Sequence, residues 1–124
     1  MKCFDLTIEN HVAHVVMNRP DKRNSMIREF WEELPQLVQE IDNGAKARVI
    51  VISSTGPHFT SGLDTSLFNG LAHSDAETKE EHALQAPAIF YNEVKRLQKT
   101  FSALEAARIP ILVAIQGGCI GGGL

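Results

Sequence analysis

Cysteine is scarce in this chain: Cys3 and Cys119 are the only two among 124 residues, and they stand far apart. That usage excludes a disulfide-stapled scaffold and fits a reducing intracellular compartment. A surplus of positive charge is missing too. The net charge is −3 and Lys22-Arg23 makes only a short basic pair, so general attraction to nucleic acid is not expected. No apolar run is long enough to span a membrane as a helix. Met1-Lys2-Cys3-Phe4-Asp5-Leu6 lacks the apolar core of a secretory signal, and its acidic residue argues against a transit peptide. The histidines His11, His14, His58, His73 and His82 have no spacing suited to a metal or a catalytic triad, so no metal is expected and surface or packing roles are. What remains is ordinary globular material: 44% hydrophobic residues in a length that makes one domain or part of one.

Taken in order, Phe4, Leu6 and Ile8 alternate with polar residues and predict a half-buried strand. Glu9-Asn10-His11 turns the chain into a second strand at Val12–Met17, so a hairpin is expected. After the polar loop 18–24, Asn24 or Ser25 is expected to cap a helix. In that helix Met26, Ile27, Phe30, Trp31, Leu34, Leu37, Val38 and Ile41 recur at steps of three and four, giving one core face. Pro35 inside it predicts a kink or break. Phe30 and Trp31 are expected in the core rather than lining a pocket. Asp42-Asn43-Gly44 ends the helix.

Arg48–Ser53 is too apolar to alternate and predicts a strand buried on both faces. Residues 67–75 are weakly patterned, and 76–86 suggest a charged helix or loop over a ligand. Ala88–Ala107 predicts a helix with Phe90, Val94, Leu97, Phe101 and Leu104 on one stripe, stopped by Arg108-Ile109-Pro110. Ile111–Ile115 then reads as a buried strand. There is no repeat, low-complexity tract or linker. Strands separated by helices imply βαβ crossovers and an α/β fold, with ligands beyond the carboxyl ends of the strands.

Two loops stand at such ends. One is His58-Phe59-Thr60-Ser61-Gly62-Leu63-Asp64. The other is Gln116-Gly117-Gly118-Cys119-Ile120-Gly121-Gly122-Gly123-Leu124, with five glycines. Neither the phosphate-loop spacing nor the dinucleotide fingerprint fits it. A helix starting near Gly121 would offer unpaired N–H groups, suited to a carbonyl oxygen that gains charge. Spacing alone leaves open a turn that merely allows close packing. Cys119 carries no sign of a nucleophile and is expected as a small buried residue. Leu124 follows three glycines directly, which reads as part of a longer protein.

Three stretches together carry a family resemblance. Asn18-Arg19-Pro20-Asp21-Lys22-Arg23-Asn24-Ser25, Phe59-Thr60-Ser61-Gly62-Leu63-Asp64 and Pro110 through Gly123, in that order, resemble the loops of the crotonase superfamily, the enoyl-CoA hydratase/isomerase family. Phe30-Trp31, the long segment between the loops and the run Gly117–Gly123 are most similar to its delta3,5-delta2,4-dienoyl-CoA isomerases. The resemblance implies a crotonase-like ββα superhelix, of which residues 1–124 would be the N-terminal part of a single acyl-CoA-binding domain.

It further implies a fatty acyl-CoA isomerase of β-oxidation that shifts 3,5 double bonds to 2,4. Enoyl-CoA hydratase is the alternative, as is a truncated piece without catalysis. The thioester carbonyl would sit between the backbone N–H groups of Leu63 and Gly122. Ser61, Gly62, Asp64, Thr65 and Gly123 would touch substrate, and Arg23 would lie near the nucleotide end of coenzyme A. The thioester is the substrate and no separate cofactor is implied. The acid and base carboxylates are expected after the second glycine loop, the first just past Leu124, so these residues by themselves would be inactive. Asp64 would order its loop, while Glu32, Glu33, Glu80 and Glu81 are read as solvated helix faces. The expected assembly at full length is a homotrimer or homohexamer. The location is intracellular: cytoplasmic if bacterial, mitochondrial or peroxisomal if eukaryotic.

Overall fold

In the computed structural model, which describes residues 1–69 and 79–124, the chain begins with the expected hairpin. Strands β1 (Phe4–Glu9) and β2 (Val12–Met17) pair antiparallel, Phe4 opposite Met17 and Glu9 opposite Val12. Asn10 and His11 both take positive φ, 50° and 66°, the conformation of a tight two-residue hairpin turn. Helix α1 (Arg28–Asn43) then carries the chain across to β3 (Val49–Ser54), which lies parallel to β2. A short helix α2 (Ser66–Asn69) and a long helix α3 (Lys79–Ala106) lead to β4 (Ile111–Val113), parallel to β3. The sheet order is β1-β2-β3-β4.

The core lies between α1 and one face of this sheet. Phe30, Trp31, Leu34, Leu37, Val38 and Ile41 of α1 are buried together with Ala13, Val15 and Met17 of β2 and Ile50 and Ile52 of β3. Removing each Val, Leu, Ile, Phe or Met side chain of this set from water contributes about 1.5–3 kcal/mol. α3 packs along α1. The Phe101 ring stands edge-on to Trp31 at 5.4 Å, and Arg108, just past α3, donates to the Asp42 carbonyl at 2.7 Å.

Several expectations need correction. Ile111–Ile115 is not buried: β4 is an edge strand only three residues long, and Leu112, Val113 and Ile115 are exposed. In β1 only Phe4 is buried, while Leu6 and Ile8 are exposed. β3 buries Ile50 and Ile52 but leaves Val49 and Val51 half-covered, so its two faces differ. Asn24 and Ser25 do not cap α1; extended Ile27 precedes the helix and no side chain caps it. The helix α3 starts at Lys79, before the expected Ala88, and its stripe is only partly covered, with Phe90 and Phe101 exposed. Glu33 is no solvated face residue, since its carboxylate accepts from the N–H groups of Lys2 and Cys3 at 2.8 and 3.0 Å. Residues 70–78, with His73 and much of the segment expected over a ligand, lie outside the described residues.

Pro35 neither breaks α1 nor leaves a gap in its bonding. Proline removes the N–H that would bond the carbonyl four residues earlier, here Trp31. Thr100 of α3, 1% exposed, donates its hydroxyl to that Trp31 carbonyl at 3.1 Å. A residue of one helix thus repairs the backbone of the other.

Candidate active site

The loops that follow β3 and β4 meet because those strands are parallel neighbours. Phe59 N–H donates to the Gln116 carbonyl at 2.7 Å, Thr60 N–H to Gly118 at 3.2 Å, and Ile120 N–H to Thr60 at 3.2 Å. The loop after β2 closes the third side. Asn24, 2% exposed, spends its side chain there: Oδ1 accepts from Arg19 N–H, and Nδ2 donates to the carbonyls of Thr55 and His58. The buried Thr60 hydroxyl donates to the Asn24 carbonyl at 2.7 Å and accepts from Gly62 N–H at 3.1 Å.

Leu63 is fixed from both sides. Met26 N–H donates to the Gly62 carbonyl at 2.8 Å, and Asp64 N–H donates to the Met26 carbonyl at 3.0 Å. In this parallel bridge between Met26 and Leu63, the N–H and C=O of Leu63 itself point away from Met26. Gly62 has φ +91°, and a side chain on it would come within 2.8 Å of the Ile120 carbonyl. Glycine is needed there on both counts.

The second loop ends in a single 3₁₀ turn, Gly121–Gly123. Its bonds run from Gly123 N–H to Ile120 and from Leu124 N–H to Gly121. Among the described residues neither Leu63 N–H nor Gly122 N–H donates a hydrogen bond. The residues just before them, Gly62 and Gly121, are in backbone contact, and Met26 touches the neighbourhood of both, its Sδ lying 3.3 Å from where a Gly122 Cβ would be.

An apolar pocket of about 80 Å³ opens beside this turn, lined by Met26, Phe30, Phe101, Val113, Gly122 and Gly123 among others. Phe30 is therefore both core and pocket wall, while Trp31 is core and packs its ring against Gly122. On the other side Arg23 and Ser61, joined by a 3.0 Å bond from Ser61 N–H to the Arg23 carbonyl, line a cleft of about 180 Å³ with His58, Thr60, Gly118 and Ile120. Thr65 is exposed just ahead of α2. Cys119 is half-buried and directs its sulfur to the Gly123 carbonyl at 3.1 Å; both cysteines are free thiols.

Asp64 is engaged within its own loop. Oδ1 accepts from Ser66 N–H at 2.9 Å and Oδ2 from the Ser25 hydroxyl at 2.7 Å. Bonds from Ser66 first, then Ser25, hold its carboxyl down to about 2. A carboxylate that weakly basic is a poor proton acceptor near neutrality. Its role here is to fasten the residue after Leu63 to the loop after β2.

The sequence profile of the enoyl-CoA hydratase/isomerase family matches residues 7–124. The chain belongs to the enoyl-CoA hydratase/isomerase family. Its similarity to the mitochondrial delta(3,5)-delta(2,4)-dienoyl-CoA isomerase of Mus musculus is 38% identity over 116 residues, 94% of this chain and 35% of that protein. It is 28% identical to the peroxisomal enzyme of the same description from Arabidopsis thaliana, over 94% of this chain and 41% of that one. Among solved structures it resembles an enoyl-CoA hydratase from Mycobacterium smegmatis, with TM-score 0.80 and 26% identity over 99% of this chain and 43% of that one. The fold is thus crotonase-like α/β, and the chain spans less than half the length of these family members.

One residue of the site escaped sequence reasoning. His58 Nδ1 accepts from Gly118 N–H at 2.9 Å, sixty positions away. No spacing rule reveals such a pair, because the partner is backbone.

Proposed function

We propose that these residues form the carbonyl-binding half of an acyl-CoA isomerase that converts a 3,5-dienoyl-CoA to the 2,4-dienoyl-CoA. The observation that supports it is the pair of N–H groups of Leu63 and Gly122, both without a partner among the described residues and carried on loops bonded to each other. A thioester oxygen accepting from both would be stabilised as the proton leaves carbon 2 and the electron pair spreads through the diene to that oxygen. Return of a proton at carbon 6 completes the shift, with one proton lost and one gained. Loss of one such donor typically costs about a hundred- to a thousandfold in rate. Ser61, Gly62, Asp64, Thr65 and Gly123 build the loops around this oxygen, and the exposed cation of Arg23 suits a phosphate of coenzyme A. The acyl chain fits the apolar side, towards Met26, Phe30 and Phe101. The carboxylates that move the protons are not assigned among these residues. An oligomer of three or six copies and an intracellular location complete the reading, the latter resting on the mitochondrial and peroxisomal names of relatives.

The named activity of the 38% identical relative favours the dienoyl isomerase over the hydratase, the second reading, which the M. smegmatis structure supports. The test is incubation of the full-length protein with a 3,5-dienoyl-CoA, followed by the absorbance of the conjugated 2,4 product. Turnover is expected. Hydration of a 2-enoyl-CoA with no dienoyl turnover would replace the isomerase by the hydratase.

A further inference from the structure

The loop that carries Gly122 is held by backbone bonds and by the Gln116 side chain at its start, whose Nε2 donates to the carbonyls of Ser54 and Gly56, and one side chain of the facing loop joins them. His58 Nδ1 accepts the Gly118 N–H at 2.9 Å, while the Gly118 carbonyl accepts from Thr60 N–H at 3.2 Å. Gly118 is thus clamped on both its polar groups by the loop after β3. Two residues on, Ile120 is bonded to Thr60, and Gly123 is bonded back to Ile120, so Gly122 rides on the segment that this clamp positions. Gly117, with φ +59°, leaves room for the contact, since a side chain there would collide with the Pro57 carbonyl and the His58 ring. The backbone of His58 is itself fixed, its carbonyl accepting from Asn24 Nδ2 at 3.2 Å and from the Ser54 hydroxyl at 3.3 Å.

An imidazole nitrogen that accepts a hydrogen bond carries no proton, so this bond requires a neutral ring with its hydrogen on Nε2. Protonating Nδ1 would set one N–H against another and open the clamp. It would also put a second positive charge into the cleft that His58 shares with Arg23; among the described residues no carboxylate lines that cleft to offset it. Histidine is the side chain that ordinarily changes charge between about pH 5 and 8.

We propose that His58 is a positioning residue for the Gly122 amide, holding the glycine loop through Gly118 only while its ring is neutral. This rests on the reading of Leu63 and Gly122 as the carbonyl-binding pair, and the experiment separates the two. In the full-length protein, nitrogen-detected NMR reports the His58 tautomer, and the amide resonances of Gly118 and Gly122 are followed as pH is lowered. The expected result is a proton on Nε2 and glycine amides that shift with the His58 midpoint. A proton on Nδ1, or amides indifferent to that titration, overturns the proposal whether or not an acyl-CoA is turned over.

The kinetic arm uses His58→Asn, whose oxygen replaces Nδ1 as acceptor, and His58→Leu, which has none. His58→Leu is expected to lower kcat about two- to tenfold on the alkaline side of the His58 titration with KM little changed, the size of one neutral hydrogen bond, and to converge with the unsubstituted protein where the ring is protonated. His58→Asn is expected to restore kcat and to escape the decline that the unsubstituted protein shows as its ring takes up a proton. Equal kcat for the two variants counts against the proposal. So do parallel pH profiles for His58→Asn and the unsubstituted protein.

Discussion

Asp64 shows how a carboxylate at the edge of a site is spent on structure. Its two oxygens accept from Ser66 and Ser25, and those bonds lower its pKa from 3.8 to about 2. A lowered value means that the unfolded chain takes the proton more readily. The stabilisation is therefore complete above about pH 4 and fades as pH falls towards 2. Asp64→Asn is expected to be less stable than the unsubstituted protein at pH 6, with the gap narrowing on acidification; urea midpoints at a series of pH values check this, and a constant gap contradicts it. The role as a loop-ordering group was legible from the family pattern and the usual role of aspartate in turns. That Ser25 is its partner was not, since 39 residues separate them. The same limit hid His58, whose acceptor nitrogen pairs with a glycine N–H.

α1 displays the amphipathic pattern that its sequence predicts, and also a proline that argues against it. Pro35 leaves the Trp31 carbonyl without its usual donor, and the Thr100 hydroxyl fills the place at 3.1 Å in a buried setting. Removing a buried hydrogen-bond partner costs about 1–3 kcal/mol. Thr100→Val is expected to lose stability in that range. In a Pro35→Ala background, where the backbone supplies its own N–H, the same substitution should cost clearly less; chemical denaturation of the four proteins forms the cycle. Equal costs in both backgrounds would show that Thr100 does not serve the carbonyl. β4 makes the opposite case. Its apolar run matched a buried strand, yet burial depends on what covers a strand rather than on its composition, and β4 lies at the sheet edge.

At the scale of residues 1–124 taken together, the consequence is an apolar border along that edge. Leu112, Val113 and Ile115 are 58%, 49% and 57% exposed, and among the described residues β4 pairs on one side only. Unpaired edge backbone flanked by apolar side chains favours association. Residues 1–124 produced alone are expected to bind an apolar dye and to self-associate, and Leu112→Lys with Ile115→Lys to reduce both; light scattering against concentration checks it. Sequence by itself determined the local matters: the hairpin, the amphipathic face of α1, the β3 run, and two glycine loops at strand ends. Each follows from a period or a backbone preference within a few neighbours. Tertiary structure alone decided which faces are covered, how Thr100 compensates Pro35, and which side chains tie the loops together. Those outcomes depend on groups far apart in sequence, and only the packing of β3 beside β4 and of α3 on α1 brings them within bonding distance.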